Sequence, residues 1–401
     1  MGINTAAAIT IMLFIYLGIY SFYLFIFSLA GRLIKIKKPP VSTSLSRFVI
    51  YIYSYKEDEI ILNSAANAIT LDYPKDHFHV CVIADSLKPE TIERLKKMPI
   101  QLLEVAFKSS TKCKALHKAI ENTTRYFDAA IVFDADHICA PDFLYQVNNY
   151  LQAGHRAVQG HRVAKNTNTQ IAVLDAVSEE SNNHIFCRSQ RVFNLSAAII
   201  GSGMALEYRL FREVVLEIDA FGWFDKEMEL LLTLNNIRIA YAEDAIIYEE
   251  KVSNAQAFKK QRRRRLSAWF NLLKEYGSTG LTQLLFHGNF DYFNKIYQIV
   301  ALPSLLMLGL MPFMLIVCLI APGVSPSWQL WLAATGCCYA GILIAVPATF
   351  LNDKLLRAVS KALSMFFTTM RLSLKLKGVN KRYTRTPSRH RLEIGGLEQE
   401  Q

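Results

Sequence analysis

Acids are scarce in this 401-residue chain relative to bases: 34 Asp and Glu face 45 Lys and Arg, a formal net charge of +11. Its seven cysteines (Cys81, Cys113, Cys139, Cys187, Cys318, Cys337 and Cys338) include no C-x-x-C pair. That spacing indicates neither a zinc site nor a disulfide framework, and they read as small apolar fillers in a reducing compartment. Internal repeats, low-complexity tracts and recognisable nucleic-acid modules are also lacking, so no nucleic acid is expected as a partner. Charge itself is missing from two long stretches, and these set the organisation of the chain.

Ala6 to Ala30 carries no charged residue over 25 positions. At ~1.5 Å per helical residue it crosses a hydrocarbon core of roughly 30 Å. No basic residue precedes it and it exceeds the roughly 7–15 residues of a signal-peptide core, so it reads as an anchor. The second uncharged stretch, Ile296 to Asn352, is broken by Pro322-Gly323-Val324-Ser325-Pro326-Ser327, a turn signal. Two further spans are expected near Tyr297–Ala321 and Trp328–Asn352. Arg32, Lys35, Lys37 and Lys38 follow the first span, and Lys354 to Arg391 holds eleven Lys or Arg and no acid. The positive-inside rule puts both flanks in the cytoplasm. Leu355 to Leu376 is basic and amphipathic, and is expected to lie in the interface. With 52% hydrophobic residues, the chain is expected to divide into an anchor (1–31), a cytoplasmic domain (32–257), a basic interfacial segment (258–295), two membrane helices (296–352) and an interfacial helix with a basic tail (353–401).

Between the membrane segments the pattern alternates. Strands are expected at Phe48–Tyr53, His79–Ala84, Leu102–Phe107 and Ala129–Phe133, and helices at Asp58–Ala68, Glu90–Lys97 and Lys112–Thr123. Such alternation predicts an α/β domain with a mostly parallel sheet. Ligands then bind at the carboxyl ends of strands, where Glu57, Asp85, Asp134 and Asp136 stand. In Phe133-Asp134-Ala135-Asp136-His137, two carboxylates one residue apart can share a divalent cation facing a diphosphate. Alone, Asp-x-Asp is a common solvated turn; its place after a buried strand gives it weight. His137 could bind metal or pack. Glu179, Glu180 and His184 read as a helix face near the acceptor side, and Asn182-Asn183-His184 as a candidate contact for sugar hydroxyls.

The ordered motifs resemble the family 2 glycosyltransferases. The Asp-x-Asp resembles their metal-binding pair, Tyr55-Lys56-Glu57-Asp58 their Tyr-Asn-Glu-Glu, Ala84-Asp85 the acid that contacts the nucleoside, and Lys112-Cys113-Lys114-Ala115-Leu116 their Lys-Gly-x-Ala-Leu. Gly201-Ser202-Gly203-Met204-Ala205 resembles the glycine-rich segment flanking the acceptor. Lys226-Glu227-Met228-Glu229-Leu230 stands where the family has Glu-Asp-x-Glu-Leu, which makes Glu227 the candidate base, with Asp225 as the alternative. Gln261-Arg262-Arg263-Arg264-Arg265 resembles Gln-x-x-Arg-Trp, with Arg265 at the Trp position; Gln261 and Arg264 match, Arg264 is the implied diphosphate contact, and guanidinium suits phosphate.

The resemblance implies a Rossmann-like GT-A domain with three transmembrane helices and interfacial amphipathic helices. It implies inverting transfer from a nucleotide-sugar donor, a UDP-sugar by the same likeness, to a glycan or lipid-linked acceptor at the cytoplasmic face of the cell membrane. Mg²⁺ or Mn²⁺ would be held by Asp134 and Asp136, and Glu57, Asp85, Lys112, Asp134, Gly203, Gln261 and Arg264 would bind donor. An export partner or a homo-oligomer could accompany it. The departures at Lys226, Glu227 and Arg265 keep open an inactive sugar-nucleotide-binding subunit.

Overall fold

The structure is a computed structural model that describes residues 5–218, 223–251, 272–321 and 326–373. An eight-stranded sheet forms the centre: β1 (Phe48–Tyr55), β2 (Phe78–Asp85), β3 (Gln101–Val105), β4 (Ala129–Asp134), β5 (His137–Cys139), β6 (Ala157–Ala164), β7 (Met204–Glu207) and β8 (Ile239–Glu249), in the order β3-β2-β1-β4-β7-β6-β8-β5. The sheet is mixed, and its longer pairings are the parallel ones expected, with short antiparallel pairings at β7 and β5. β3, β2, β1 and β4 run parallel, β7 is antiparallel to β4 and β6, β6 and β8 are parallel, and β5 runs against β8. The four-residue β7 enters through the glycine turn at 201–203, whose Gly203 N–H bonds the Val132 carbonyl; this reversal places it beside β4 against the direction of its neighbours.

Helices cover both faces. α2 (Ile61–Ile69), α3 (Pro89–Lys96), α4 (Lys112–Glu121) and α5 (Phe143–Gln152) follow the early strands. α2 buries Ile61, Leu62, Ala65 and Ala68, the stripe a 3.6-residue period produces. One apolar core joins Val49, Tyr51, Cys81 and Val132 to Leu116 and Phe211; the other joins Ile50, Ile52, Val82 and Ile131 to Ile61 and Leu144. The register sets Tyr55 opposite Asp85 and Tyr53 opposite Asp134, so three strands end together and their acids share one edge.

α6 (Gln170–Asn182) runs into a π-helical turn (Asn183–Arg188) and α7 (Ser189–Val192). α8 (Tyr208–Glu217) and α9 (Phe224–Leu234) complete the domain. The long helix α1 (Thr5–Leu33) packs beside α11 (Phe290–Val300), α12 (Ser304–Ile320) and α13 (Trp328–Ala345), with α10 described over residues 272–287 and α14 spanning Asp353–Ser373. Leu17, Tyr20 and Leu24 meet Met307, Met311, Trp331, Ala334 and Cys338 in a separate apolar cluster.

Among the described residues, two helices are long and apolar enough to cross a membrane, Ala7–Leu33 and Trp328–Ala345; Leu306–Ile320 is shorter. The span expected at Tyr297–Ala321 is broken ahead of Pro303, which starts a new helix at Ser304 because proline lacks the N–H that would continue the old one. Pro347 likewise follows the end of α13, short of the expected Asn352.

Candidate active site

Each candidate side chain is delivered by the end of a regular element. Asp85 closes β2, fully buried; its carboxylate accepts from the Tyr53 phenol at 3.3 Å and the Ser86 hydroxyl at 2.9 Å. Glu57 follows β1, and its carbonyl receives the N–H groups of Ile60 and Ile61 as α2 begins. Lys112 opens α4, whose first turn is fixed by the Thr111 hydroxyl accepting from the Lys114 N–H, an N-cap. From there the Lys112 ammonium donates to Asp134 Oδ1 at 2.6 Å and to the Gly201 carbonyl at 2.5 Å. One lysine thus ties the strand-end carboxylate to the glycine turn.

Asp134 also receives a neighbour from that turn: its N–H lies 3.2 Å from the Ser202 hydroxyl. Asp136 stands in the tight turn between β4 and β5, its carboxylate 2.9 Å from His137 Nδ1. Burial alone would raise the Asp136 carboxyl, but the imidazole beside it brings it below the usual range. His137 is 4% exposed and packs inward against that carboxylate. Among the described residues no group of three or more His, Cys, Asp or Glu gathers as a metal cage. The two aspartates offer hard oxygen atoms at a strand edge, the donor type that suits Mg²⁺ or Mn²⁺ completed by phosphate oxygens.

The glycine turn needs its glycines. Gly203 has φ +66° and a Cβ there would strike the Ile247 side chain; Gly201 has φ +93°, and its missing Cβ would lie 3.3 Å from Asp225 Oδ2. Asp225, in the first turn of α9, therefore sits directly against the backbone whose carbonyl Lys112 holds. Glu227 is buried, and its Oε1 accepts from the Tyr276 phenol at 2.9 Å. Residues two apart on a helix point to different sides, and Asp225 is the one whose carboxylate lies against Gly201. Lys226 turns to Glu229 at 2.8 Å.

Sequence reasoning passed over several charges. Glu229 is 1% exposed and receives the Ile199 N–H at 2.5 Å, with Lys295 of α11 at 3.7 Å. Burial raises its carboxyl, and Lys226 and Lys295 more than offset that, holding it low. Arg162 pairs with Glu179 and, at 3.2 Å, with Glu249, and donates to the Ile200 carbonyl at 3.0 Å; Lys251 pairs with the same two acids. The spacing of Arg162 two residues beyond the strand glycine gave no signal, because its partners come from α6 and β8. Gln261 and Arg264 lie outside the described residues.

The model of the family described as "Glycosyltransferase like family 2" matches residues 46–268, more than half of the chain. Glucomannan 4-beta-mannosyltransferase 7 of Arabidopsis thaliana is 22% identical over 275 residues, 64% of this chain and 48% of that protein, so the chain spans about half the length of this curated relative. Among solved structures, the mannosyltransferase PcManGT of Pyrobaculum calidifontis, in complex with GDP-Man and Mn²⁺, superposes with a TM-score of 0.59 at 17% identity, covering 93% of this chain and 98% of that one. That likeness establishes a GT-A-like fold. The S. aureus TarS 1–349 structure, at a TM-score of 0.40 and 13% identity, covers 82% of this chain and 90% of that one.

Proposed function

The chain belongs to glycosyltransferase family 2, and from that premise we propose that it moves a sugar from a nucleoside-diphosphate donor to a glycan or lipid-linked acceptor, with inversion, at the cytoplasmic face of the cell membrane. Both compared relatives at useful similarity are named mannosyltransferases, so GDP-mannose joins the UDP-sugars as a donor to be tried. Cell-surface polysaccharide synthesis is the setting this favours. α1 and α13 are the crossing helices of the membrane part, and α12, with 17 residues or about 25 Å, packs against them.

The observation that carries this reading is the convergence of Lys112, Asp134, the Gly201 carbonyl and Asp225 on one sheet edge. Asp85 and Glu57, at the ends of β2 and β1, hold the nucleoside. Lys112 lies where a diphosphate would meet Asp134, and Gln261 and Arg264 are the further donor contacts proposed from the motif. Asp134 and Asp136 would hold Mg²⁺ or Mn²⁺, whose charge would stabilise the departing diphosphate. Asp225 takes the proton of the acceptor hydroxyl as it attacks the anomeric carbon. Glu227, bound to Tyr276, steadies α9. The glycine turn brings backbone close to both sugars, which fixes their approach.

The test is release of nucleoside diphosphate by purified full-length protein with Mn²⁺ or Mg²⁺ and a panel of GDP- and UDP-sugars. Turnover with one donor, abolished in Asp134→Asn, is the expected result. Binding without turnover for every donor, unchanged in that variant, would replace the enzyme with a sugar-nucleotide-binding subunit.

A further inference from the structure

A cavity of about 470 Å³ opens where the membrane helices meet the catalytic domain, within the roughly 300–1,000 Å³ usual for ligand sites. Its upper wall is the end of α1 and the end of α13. Arg32 joins them, donating to the Ile344 and Val346 carbonyls at 2.8 and 3.0 Å. Leu33 and Leu343, on those same helix ends, are exposed apolar side chains. The cavity therefore lies at the depth where the hydrocarbon run stops and basic residues begin, beside surface that suits an acyl or prenyl chain.

The lower wall comes from the catalytic domain, and its charges are matched. Arg188 pairs with Glu243, and His161 Nε2 meets Glu180 at 3.0 Å. Tyr241 adds an aromatic ring 5.9 Å from that of His161. Paired donors and acceptors with an aromatic face suit the hydroxyls and ring of a neutral sugar better than a polyanion. Arg188 comes from the π-helical turn that interrupts α6 and α7, and π-turns are frequent at functional sites. Two side chains link the cavity wall to the glycine turn. Glu180 adjoins Glu179, which holds Arg162, which in turn bonds the carbonyl of Ile200 beside Gly201.

We propose that this cavity receives the saccharide of a membrane-borne acceptor, its lipid lying along α1 and α13 with Arg32 at the linking phosphate. The acceptor is thereby a lipid-linked sugar rather than a glycan arriving from water. This rests on the glycosyl-transfer reading above and deepens it.

The test uses full-length protein in detergent with the donor that supports nucleotide release, labelled in its sugar. One arm offers a total membrane lipid extract, and the other offers water-soluble β-linked hexasaccharides of mannose, glucose and N-acetylglucosamine. Label is expected in the organic phase of the first arm, with little in the second. Thr349 lines the cavity, and Thr349→Trp fills it. The variant is expected to deliver at least ten-fold less lipid-phase label per nucleotide released, and Thr349→Phe serves where the larger residue prevents folding. Label confined to water-soluble product, or an unchanged ratio in the variants that still release nucleotide, would overturn the proposal. Absence of nucleotide release by the unmodified protein with every donor would instead overturn the reading beneath it.

Discussion

Replacing Asp225 by asparagine separates the two carboxylates that the sequence leaves as rivals for the proton. The substitution keeps size and hydrogen bonding and removes only basicity. A positioned general base contributes roughly 10²–10⁴-fold, so Asp225→Asn is expected to lower kcat by that factor, about 2.7–5.4 kcal/mol at ~1.36 kcal/mol per decade. Glu227→Gln is the control. Its Oε1 accepts from the Tyr276 phenol, and a glutamine carbonyl still accepts that bond. Exchanging a charged for a neutral acceptor costs about 1 kcal/mol of stability, with kcat falling less than about ten-fold because no proton path is lost. The assay is nucleotide release at saturating donor and acceptor, followed across pH. Loss of two or more decades in Glu227→Gln with near-normal Asp225→Asn would refute the assignment, and with it the argument from helical phase.

Other expectations follow from buried charge and from the glycine turn. Glu229→Gln should destabilise far more than Glu227→Gln, by about 3–5 kcal/mol, because it leaves Lys226 and Lys295 without their shared counter-charge; thermal unfolding in detergent measures it. Gly203→Ala, at φ +66° and against Ile247, should lower the unfolding temperature and disturb nucleotide release together, whereas Gly154→Ala, with open space around it, should leave nucleotide release intact. Burial opposes protonation of His161, but Glu180 outweighs it and raises the imidazole above its ordinary range. The stability from this pair is therefore complete below about pH 6.5 and is lost as pH rises through the higher folded value. The gap in unfolding temperature between wild type and His161→Gln should accordingly close on going from about pH 6 to about pH 8.5.

The parts of the fold that could be read in advance are those with local causes. β1, β2 and β4 are short apolar runs, the last two ending in acids, and parallel pairing aligns their ends, so Asp85 and Asp134 come to one edge. α4 carries its own cap in Thr111. What escaped depended on distant partners. β7 is four residues within a glycine-rich stretch, and only its pairing with β4 and β6 reveals a strand. Arg162, Glu179, Glu249 and Lys251 look like scattered surface charges in sequence, yet three elements and a residue two beyond β8 bring them into one cluster. The preference for Glu227 came from motif register alone. The contact of α9 with Gly201 is a tertiary fact, and it puts Asp225 against the glycine turn.

A nucleoside diphosphate held through a divalent ion at Asp134 and Asp136 is the centre of the proposed reaction. Calorimetric titration of GDP and UDP into the full-length protein, with Mn²⁺ and with chelator, measures this directly. Affinity for one nucleotide should depend on Mn²⁺ and fall at least ten-fold in both Asp134→Asn and Asp136→Asn. Binding of equal strength in chelator, or in either variant, would contradict it.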